Sequence, residues 1–289
     1  MTFARRFEFA TDQDPSLNYC LWRYPPAAPA EDKFRSVNLL YQSFDCAGID
    51  PRAGAVVDAI IDGIGPFRTV FGVKLVGDRL AWELYFYDYQ RRRRLVSMSR
   101  VLQAIRSCAP CAIVPNESLP YFMFSLDLDD ALVTGERALD VIHMYVGNAG
   151  STVSSGIAYA VRAGSTTLEN FYFFFDAGSQ RSEVSKKIAT SAHFDDTTLS
   201  IDTVMVPELR ECRTICVANK QTHDCIYFSG VTVDQLIWFL NRLRYPQDIQ
   251  AFVQDNRHNL DHLLFDVGFD YRQRGHELEV LKSGYYGVF

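Results

Sequence analysis

The sequence predicts an α+β fold in which ten antiparallel strands close into a barrel surrounded by helices. Five stretches rich in Phe, Tyr, Val and Ile are each interrupted near the middle by Gly, Asp, Asn or charged residues, as two strands joined by a turn would be. Strand pairs across short turns require antiparallel pairing. Closing the sheet removes the edges that an open sheet would expose. The five stretches are 69–89, 121–147, 156–176, 212–229 and 263–288.

Length and composition are those of a globular protein rather than a membrane or nucleic-acid-binding protein. The chain has 289 residues, of which 48% are hydrophobic and 22% are charged, as in ordinary globular domains. No apolar run approaches the ~20 residues of a membrane span, and the first residues lack the apolar segment of a secretory signal. The net charge of -6 argues against general nucleic-acid binding. We therefore expect a cytoplasmic protein that is monomeric.

The seven cysteines are scattered along the chain, which favours free thiols in a reducing compartment over a disulfide framework. Cys108 and Cys111 form a C-x-x-C pair, but a predicted helix precedes them where a thioredoxin-like motif has a strand. The spacing of Cys212 and Cys216 differs from that of zinc knuckles. Metal or redox roles are thus the less favoured alternative, and no metal ligands are assigned.

The first elements follow from helical spacing and turn residues. Residues 1–32 have few periodic signals and are expected to form an irregular arm, followed by a single barrel domain over 33–289. Apolar residues at helical spacing predict two helices between Lys33 and Ile64, separated near Gly48. The first hairpin turns at 77–79, and a helix over about 95–107 follows it.

The remaining elements repeat the pattern of helices and paired strands. The second hairpin is expected to have a long turn that contains Asp129, Asp130 and Gly135, and the third follows it directly. A helix is expected over 181–193. Thr232 and Gln235 have the spacing of a capping box, which predicts a helix before the helix and hairpin that end the chain.

Polarity alternates along the strands, and successive side chains point to opposite faces of a sheet. Phe71, Val73 and Leu75 share one face, whereas Lys74 lies on the other. Because helices surround the barrel, we expect the apolar face to point outward. The face rich in Tyr, Lys and Glu would then line an interior filled with solvent or ligand. The alternative is a polar face covered by water or by a partner.

Cationic and aromatic residues on this second face are typical of a diphosphate site. Lys and Arg on several strands can hold a diphosphate through charge-assisted hydrogen bonds, and the candidates are Lys74, Arg162, Lys220 and Lys282. Tyrosine rings stabilise a passing carbocation through cation–π attraction and exclude water. The candidates for this shield are Tyr85, Tyr87, Tyr172, Tyr227 and Tyr286. Glu83 is the candidate catalytic group that would orient or deprotonate an acceptor.

The chain resembles the aromatic prenyltransferases of the ABBA, or PT-barrel, family. Its last strand, Lys282-Ser-Gly284-Tyr285-Tyr286, is similar to the K-x-G-x-Y strand of the small bacterial phenol-type members. In those members the Lys binds diphosphate and the Tyr lies in the shield. The segment around Lys220 and Tyr227 resembles the cyanobactin-type peptide prenyltransferases, in which the corresponding Lys contacts diphosphate. The short Arg-rich strand of some members has no clear equivalent, so Arg162 is the weakest assignment.

The resemblance implies a barrel enzyme of natural product biosynthesis or peptide modification. Such an enzyme transfers a dimethylallyl or longer prenyl group from its diphosphate to an electron-rich small molecule or peptide side chain. Magnesium dependence stays open, because some family members use Mg²⁺ and others do not. The acidic groups 127–130 and 195–196 lie in predicted turns, where acids are common. The alternative function is a non-catalytic barrel that binds a hydrophobic or aromatic ligand and has no need of converging lysines.

Overall fold

The computed structural model describes residues 6–90, 93–148 and 153–289. Ten strands within these residues form a closed antiparallel barrel, so the predicted fold class is confirmed. Each strand pairs with the next in the chain, and β10 returns to pair with β1. The strands are β1 (Thr69–Val76), β2 (Arg79–Tyr87), β3 (Tyr121–Leu128), β4 (Ile142–Gly147), β5 (Ser154–Arg162), β6 (Ser165–Asp176), β7 (Thr214–Lys220), β8 (Asp224–Val231), β9 (Phe265–Arg274) and β10 (Glu277–Val288).

Helices surround the barrel, and the capping box predicted from the sequence is present. The Thr232 side chain accepts a hydrogen bond from the backbone N–H of Gln235, and the Gln235 side chain accepts one from the backbone N–H of Thr232. The described helices are α1 (Val37–Ala47), α2 (Arg52–Ile64), α3 (Met98–Ile105), α4 (Asp130–Thr134), α5 (Arg181–Ala189), α6 (Val233–Arg242), α7 (Gln247–Asp255) and α8 (Arg257–Leu260). None of these helices has the length and hydropathy required to cross a bilayer.

The second strand pair differs from the predicted hairpin, because α4 rather than a turn joins β3 to β4. The Asp129 side chain accepts a hydrogen bond from the backbone N–H of Leu132 at 2.8 Å and caps the first turn of this helix. Gly135 ends it in the left-handed conformation, with φ of 78°. The residues predicted to form a turn therefore form a short capped helix.

The apolar face of the strands points outward, as predicted. Phe71 and Val73 are fully buried in the core between the barrel and the helices. Phe175 is buried in the same outer core, and Phe173 packs against it. These phenylalanines therefore do not fill the interior.

Part of the N-terminal arm enters one end of the barrel. Residues 6–36 contain only isolated bridges, and a turn over 16–24 is held by the Asn18 side chain. Asn18 Oδ1 accepts hydrogen bonds from the backbone N–H groups of Cys20, at 3.0 Å, and Trp22, at 2.9 Å. This turn packs Tyr19 among the inward-facing tyrosines. Residues 1–5 of the predicted arm lie outside the described residues.

Candidate active site

Three lysines from separate strands converge inside one end of the barrel. Lys220 Nζ on β7 donates a hydrogen bond to Asp270 Oδ2 at 2.8 Å, and Lys282 Nζ on β10 lies 3.3 Å from the same oxygen. Lys74 on β1 pairs with Glu83 and lies 3.6 Å from Asp127. Each strand contributes an inward-pointing position, because the alternation of the pleat keeps the apolar neighbours on the outer face.

The charges in this cluster set the protonation states of its members. Burial lowers the pKa of Lys74, but the charges of Glu83 and Asp127 outweigh this effect and raise it. Lys282 differs, because burial and the charges of Lys74 and Lys220 together lower its pKa. Burial opposes ionisation of Asp270 as well, yet its cationic neighbours hold its pKa far below the usual range. The site is therefore a network of ionised groups in which Lys282 is the least stabilised cation.

His143 on β4 extends the network across the barrel. Its Nδ1 lies 2.7 Å from Glu169, and its Nε2 lies 3.6 Å from Asp127. Burial lowers the pKa of His143, but hydrogen bonds to Asp127 and Glu169 outweigh burial and raise the pKa to about 10. His143 is therefore a cation at neutral pH.

Tyrosines form a continuous layer next to the lysines. The Tyr286 ring lies 4.9 Å from Tyr19, 5.9 Å from Tyr85 and 6.1 Å from Tyr227, measured between ring centroids. Tyr172 continues the layer at 6.5 Å from Tyr227. The layer also includes Tyr87 and Tyr145. Their ring faces and hydroxyls make this part of the interior both apolar and rich in π-electron density.

Inward-facing glycines leave room for these rings. Gly72 lies opposite Tyr286 across β1 and β10, and a Cβ at Gly72 would come within 2.7 Å of the Tyr286 ring. Gly268 lies opposite Tyr227 across β8 and β9, where a Cβ would come within 2.4 Å of that ring. Both distances are shorter than van der Waals contact, so any larger residue at either position would force the facing tyrosine ring to move.

A cavity of ≈ 230 Å³ lies beyond the tyrosine layer, at the end of the barrel that contains the arm. Tyr19, Trp22, Tyr89 and Phe122 contribute to its wall, with the tyrosines of the layer below them. Asp266 on β9 also lines the cavity and is 4% exposed. The interior therefore has three levels along its axis: a charged cluster, a tyrosine layer and an aromatic cavity.

The structure brings together most of the residues singled out from the sequence. Lys74, Lys220 and Lys282 meet in the charged cluster, and the five predicted shield tyrosines lie inside the barrel. Arg162 is exposed at the end of β5, and its side chain makes no hydrogen bond or ion pair with the described residues, so the structure does not bring it to the lysine cluster.

Glu83 lies inside the barrel, but its surroundings disfavour the role of a base. Its carboxylate accepts hydrogen bonds from Ser125 and Tyr85 and pairs with Lys74. Burial raises its pKa, but the charge of Lys74 outweighs burial and lowers the pKa well below the usual range. A carboxylate with a low pKa is a weak proton acceptor. Its position instead suits a counter-ion that holds Lys74 in place.

Several interior residues received no role from the sequence. They are Tyr19, His143, Tyr145, Asp266 and Asp270. The alternation along β9 predicts Asp266, Gly268 and Asp270 on the inner face, where the structure places them, but it indicates no role for the two acids.

The described residues form neither a metal-binding cluster nor a disulfide. The described residues contain no group of three or more His, Cys, Asp or Glu side chains arranged to hold a metal ion. The cysteines are free thiols.

Comparison with known proteins gives no family assignment. No family model matches the chain, and no curated protein matches its sequence.

Proposed function

We propose that the protein is a prenyltransferase that ionises a prenyl diphosphate inside the barrel and alkylates an electron-rich acceptor. The observation that carries this proposal is the convergence of Lys74, Lys220 and Lys282 next to a layer of tyrosine rings. Cations suit the diphosphate, and ring faces suit the allylic cation that forms when diphosphate leaves. The two environments are in contact inside one closed barrel, because Tyr85 of the layer donates a hydrogen bond to Glu83, the partner of Lys74.

The order of the three levels matches the shape of such a donor. Asp270 lies in the charged cluster and Asp266 in the cavity, four residues apart on the same strand. At the usual rise of a strand, this separation is roughly 13 Å. That length accommodates a diphosphate at one end, a short prenyl chain across the tyrosine layer and an acceptor at the other end.

Each part of the site then has one task in the reaction. The C–O bond to diphosphate breaks, and the electron pair leaves with the diphosphate, whose charge the lysines neutralise. Lys282 has the weakest pairing with an acid in the cluster and is the lysine most available to a ligand. The acceptor supplies the electron pair of the new bond to carbon and releases its proton to the departing diphosphate or to water. The tyrosine layer keeps water from capturing the cation first.

The alternative is a barrel that binds a ligand without catalysis. A non-catalytic module for an aromatic ligand would use the tyrosines and the cavity alone. It would give no reason to place three lysines inside the same barrel, where desolvation opposes their charge. The lysine cluster therefore favours the transferase.

The decisive experiment is a set of incubations analysed by mass spectrometry. The donors are dimethylallyl, geranyl and farnesyl diphosphate, and the acceptors are indoles, phenols and aromatic peptides, each with and without Mg²⁺. We expect a prenylated product with at least one pair. Calorimetric titration with inorganic pyrophosphate should also show binding that Lys282→Ala weakens. The absence of any product together with no pyrophosphate binding would overturn the proposal.

A further inference from the structure

Asp266 lines the aromatic cavity, and its two carboxylate oxygens differ in their hydrogen bonding. Its Oδ2 accepts a hydrogen bond from the backbone N–H of Tyr19 at 2.8 Å. Its Oδ1 is buried and has no hydrogen-bond partner in the part of the chain that the structure describes. Ser229 lies opposite Asp266 in the neighbouring strand, and its hydroxyl and the backbone N–H of Gly230 lie near the carboxylate without making a hydrogen bond to Oδ1. A buried carboxylate oxygen without a partner is costly, because it has lost water and gained nothing in return.

The remainder of the cavity offers this carboxylate no positive charge. No Lys, Arg or His side chain occurs among the described residues that line the cavity, and Asp266 is its one carboxylate. The lysines of the charged cluster instead pair with Glu83 and Asp270, on the other side of the tyrosine layer. The protein therefore supplies a cation to the acids at one end of the interior and leaves the acid at the other end without one.

The walls around Asp266 are suited to a cation. Nearly half of the lining residues are aromatic, among them Tyr19, Tyr227 and Tyr286. Ring faces attract ammonium and guanidinium groups, most strongly where water is excluded. The volume of ≈ 230 Å³ exceeds the ~150 Å³ of an apolar cavity that holds a benzene ring. A carboxylate inside an aromatic cage recognises a positively charged nitrogen better than a neutral N–H, because only the cation also neutralises the buried charge.

We propose that the acceptor carries an ammonium or guanidinium group, which pairs with the carboxylate of Asp266 while the tyrosine rings surround it. The nucleophilic atom is then a separate, uncharged part of the same molecule, directed toward the tyrosine layer. The role of this molecule as an acceptor rests on the proposed prenyl transfer. The binding of the cation itself can be tested without any donor.

The titration of Asp266 gives the binding a characteristic pH dependence. Burial raises the pKa of Asp266 to about 6, against the opposing effect of Ser229 and nearby backbone N–H groups. The ionisable groups that its charge affects are Cys20, Tyr24 and Cys212, and burial together with this charge raises the pKa of each to about 12. They stay neutral through the neutral range. Asp266 is ionised above pH 6, so affinity for a cation should fall as the pH decreases below that value.

The experiment compares ligands that differ in charge but share a skeleton. The pairs are tryptamine with N-acetyltryptamine, tyramine with N-acetyltyramine, and N-acetylarginine amide with N-acetylcitrulline amide. Binding is measured by calorimetry at pH 7.5 and pH 5 without a prenyl diphosphate. We expect at least one charged compound to bind at least ~tenfold more tightly than its neutral partner at pH 7.5, and this preference to shrink at pH 5. Equal affinities within every pair, or no binding of any charged compound, would overturn the inference.

Asp266→Asn tests whether this residue is responsible. An amide keeps an oxygen for the Tyr19 N–H but removes the charge, so the preference for the charged compound should disappear. Because the change also removes a buried charge that lacks a partner, the midpoint of thermal unfolding at pH 7.5 should not decrease. The control is Asp12→Asn, which removes an exposed carboxylate outside the cavity and should leave every affinity unchanged. A preference that survives Asp266→Asn would also overturn the inference.

The outcomes separate this inference from the proposed function. Prenylated products from neutral acceptors only, with no charge-dependent binding, would leave the transferase standing and remove the cation site. Charge-dependent binding that requires Asp266, without product from any donor, would keep the site and remove the transferase.

Discussion

At the scale of single residues, the three interior lysines differ in how much the fold depends on them. Lys74 is enclosed and paired with Glu83, which is itself buried. The Lys282 side chain is 32% exposed, and Asp270 keeps Lys220 and His223 as partners without it. Convergence in space therefore does not imply equal roles, and the difference between the lysines can be measured.

Lys282→Ala should change ligand binding more than stability. We expect the free energy of unfolding in urea to change by less than about 1 kcal/mol, because the pair is partly solvated. Pyrophosphate affinity should fall about tenfold or more, since one charge-assisted hydrogen bond contributes about 1.5–3 kcal/mol.

Lys74→Ala provides the comparison for Lys282→Ala. It strands the buried Glu83 carboxylate and should cost about 3 kcal/mol or more in the same unfolding experiment. Similar stability losses in the two variants would contradict the assignment.

His143 should make the free energy of unfolding decrease as the pH rises into the alkaline range. Hydrogen bonds to Asp127 and Glu169 outweigh burial and raise its pKa from 6.5 to about 10. Since the folded state holds the proton more tightly, the contribution of His143 is fully present below about pH 6.5. It is lost as the pH rises toward 10.

The measurement is the free energy of unfolding between pH 6 and 10, compared with that of His143→Gln. The difference between the two proteins should shrink steadily across this range. A constant difference would show that His143 is neutral in the folded protein.

At the scale of elements, the strands fit together through pairs of a glycine and a tyrosine. Tyr286 lies over Gly72, and Tyr227 lies over Gly268. Each pair joins neighbouring strands on the inner face, where a side chain on both strands would collide. The glycines thus determine where the aromatic layer can form.

Gly268→Ala should disturb this packing. Its Cβ would lie 2.4 Å from the Tyr227 ring and 2.8 Å from the backbone oxygen of Ile226, which cannot move without bending β8. We expect a loss of about 1–3 kcal/mol, as for other overpacked sites, seen as a lower midpoint of thermal unfolding. The control is Gly156→Ala on β5, where the nearest atoms are 3.5 Å away and little change is expected.

Structural features that repeat every two residues could be predicted from the sequence. Features that depend on contacts between distant residues could not. Alternation was sufficient to direct Lys74 inward and Phe71 outward, because a shift of one residue would reverse both. Helix α4 has only five residues, too few for a periodic signal. The position of Tyr19 depends on Asp266, which lies 247 residues away along the chain. The raised pKa of His143 likewise depends on Asp127 and Glu169, which lie on two other strands, so no local sequence pattern predicts it.

At the scale of the whole molecule, the two faces of each strand have separate roles. The outer face contributes fully buried side chains to the core beneath the helices, whereas the inner face contributes the charged cluster and the tyrosine layer. Truncation of an outer-face side chain should therefore affect mainly stability. Removal of an inner-face polar group should affect mainly the site, provided that it leaves no buried charge without a partner and adds no atoms at a glycine position.

Phe71→Ala and Tyr172→Phe test this separation. Phe71 is fully buried in the outer core, so its truncation should cost about 3–5 kcal/mol. Tyr172→Phe removes one hydroxyl, which accepts a 3.2 Å hydrogen bond from Asn170, and should cost about 1 kcal/mol or less. Urea denaturation measures both costs. A larger cost for Tyr172→Phe than for Phe71→Ala would contradict the separation.

The outward orientation of the apolar side chains determines how freely the interior residues can be substituted. In a barrel whose core fills the interior, a change of an interior side chain disturbs the packing that stabilises the fold. Here the hydrophobic core lies between the strands and the helices, so interior side chains can change while that core stays intact. We therefore expect the shape of the interior to vary at uncharged positions away from the inner-face glycines with only a small loss of folding stability.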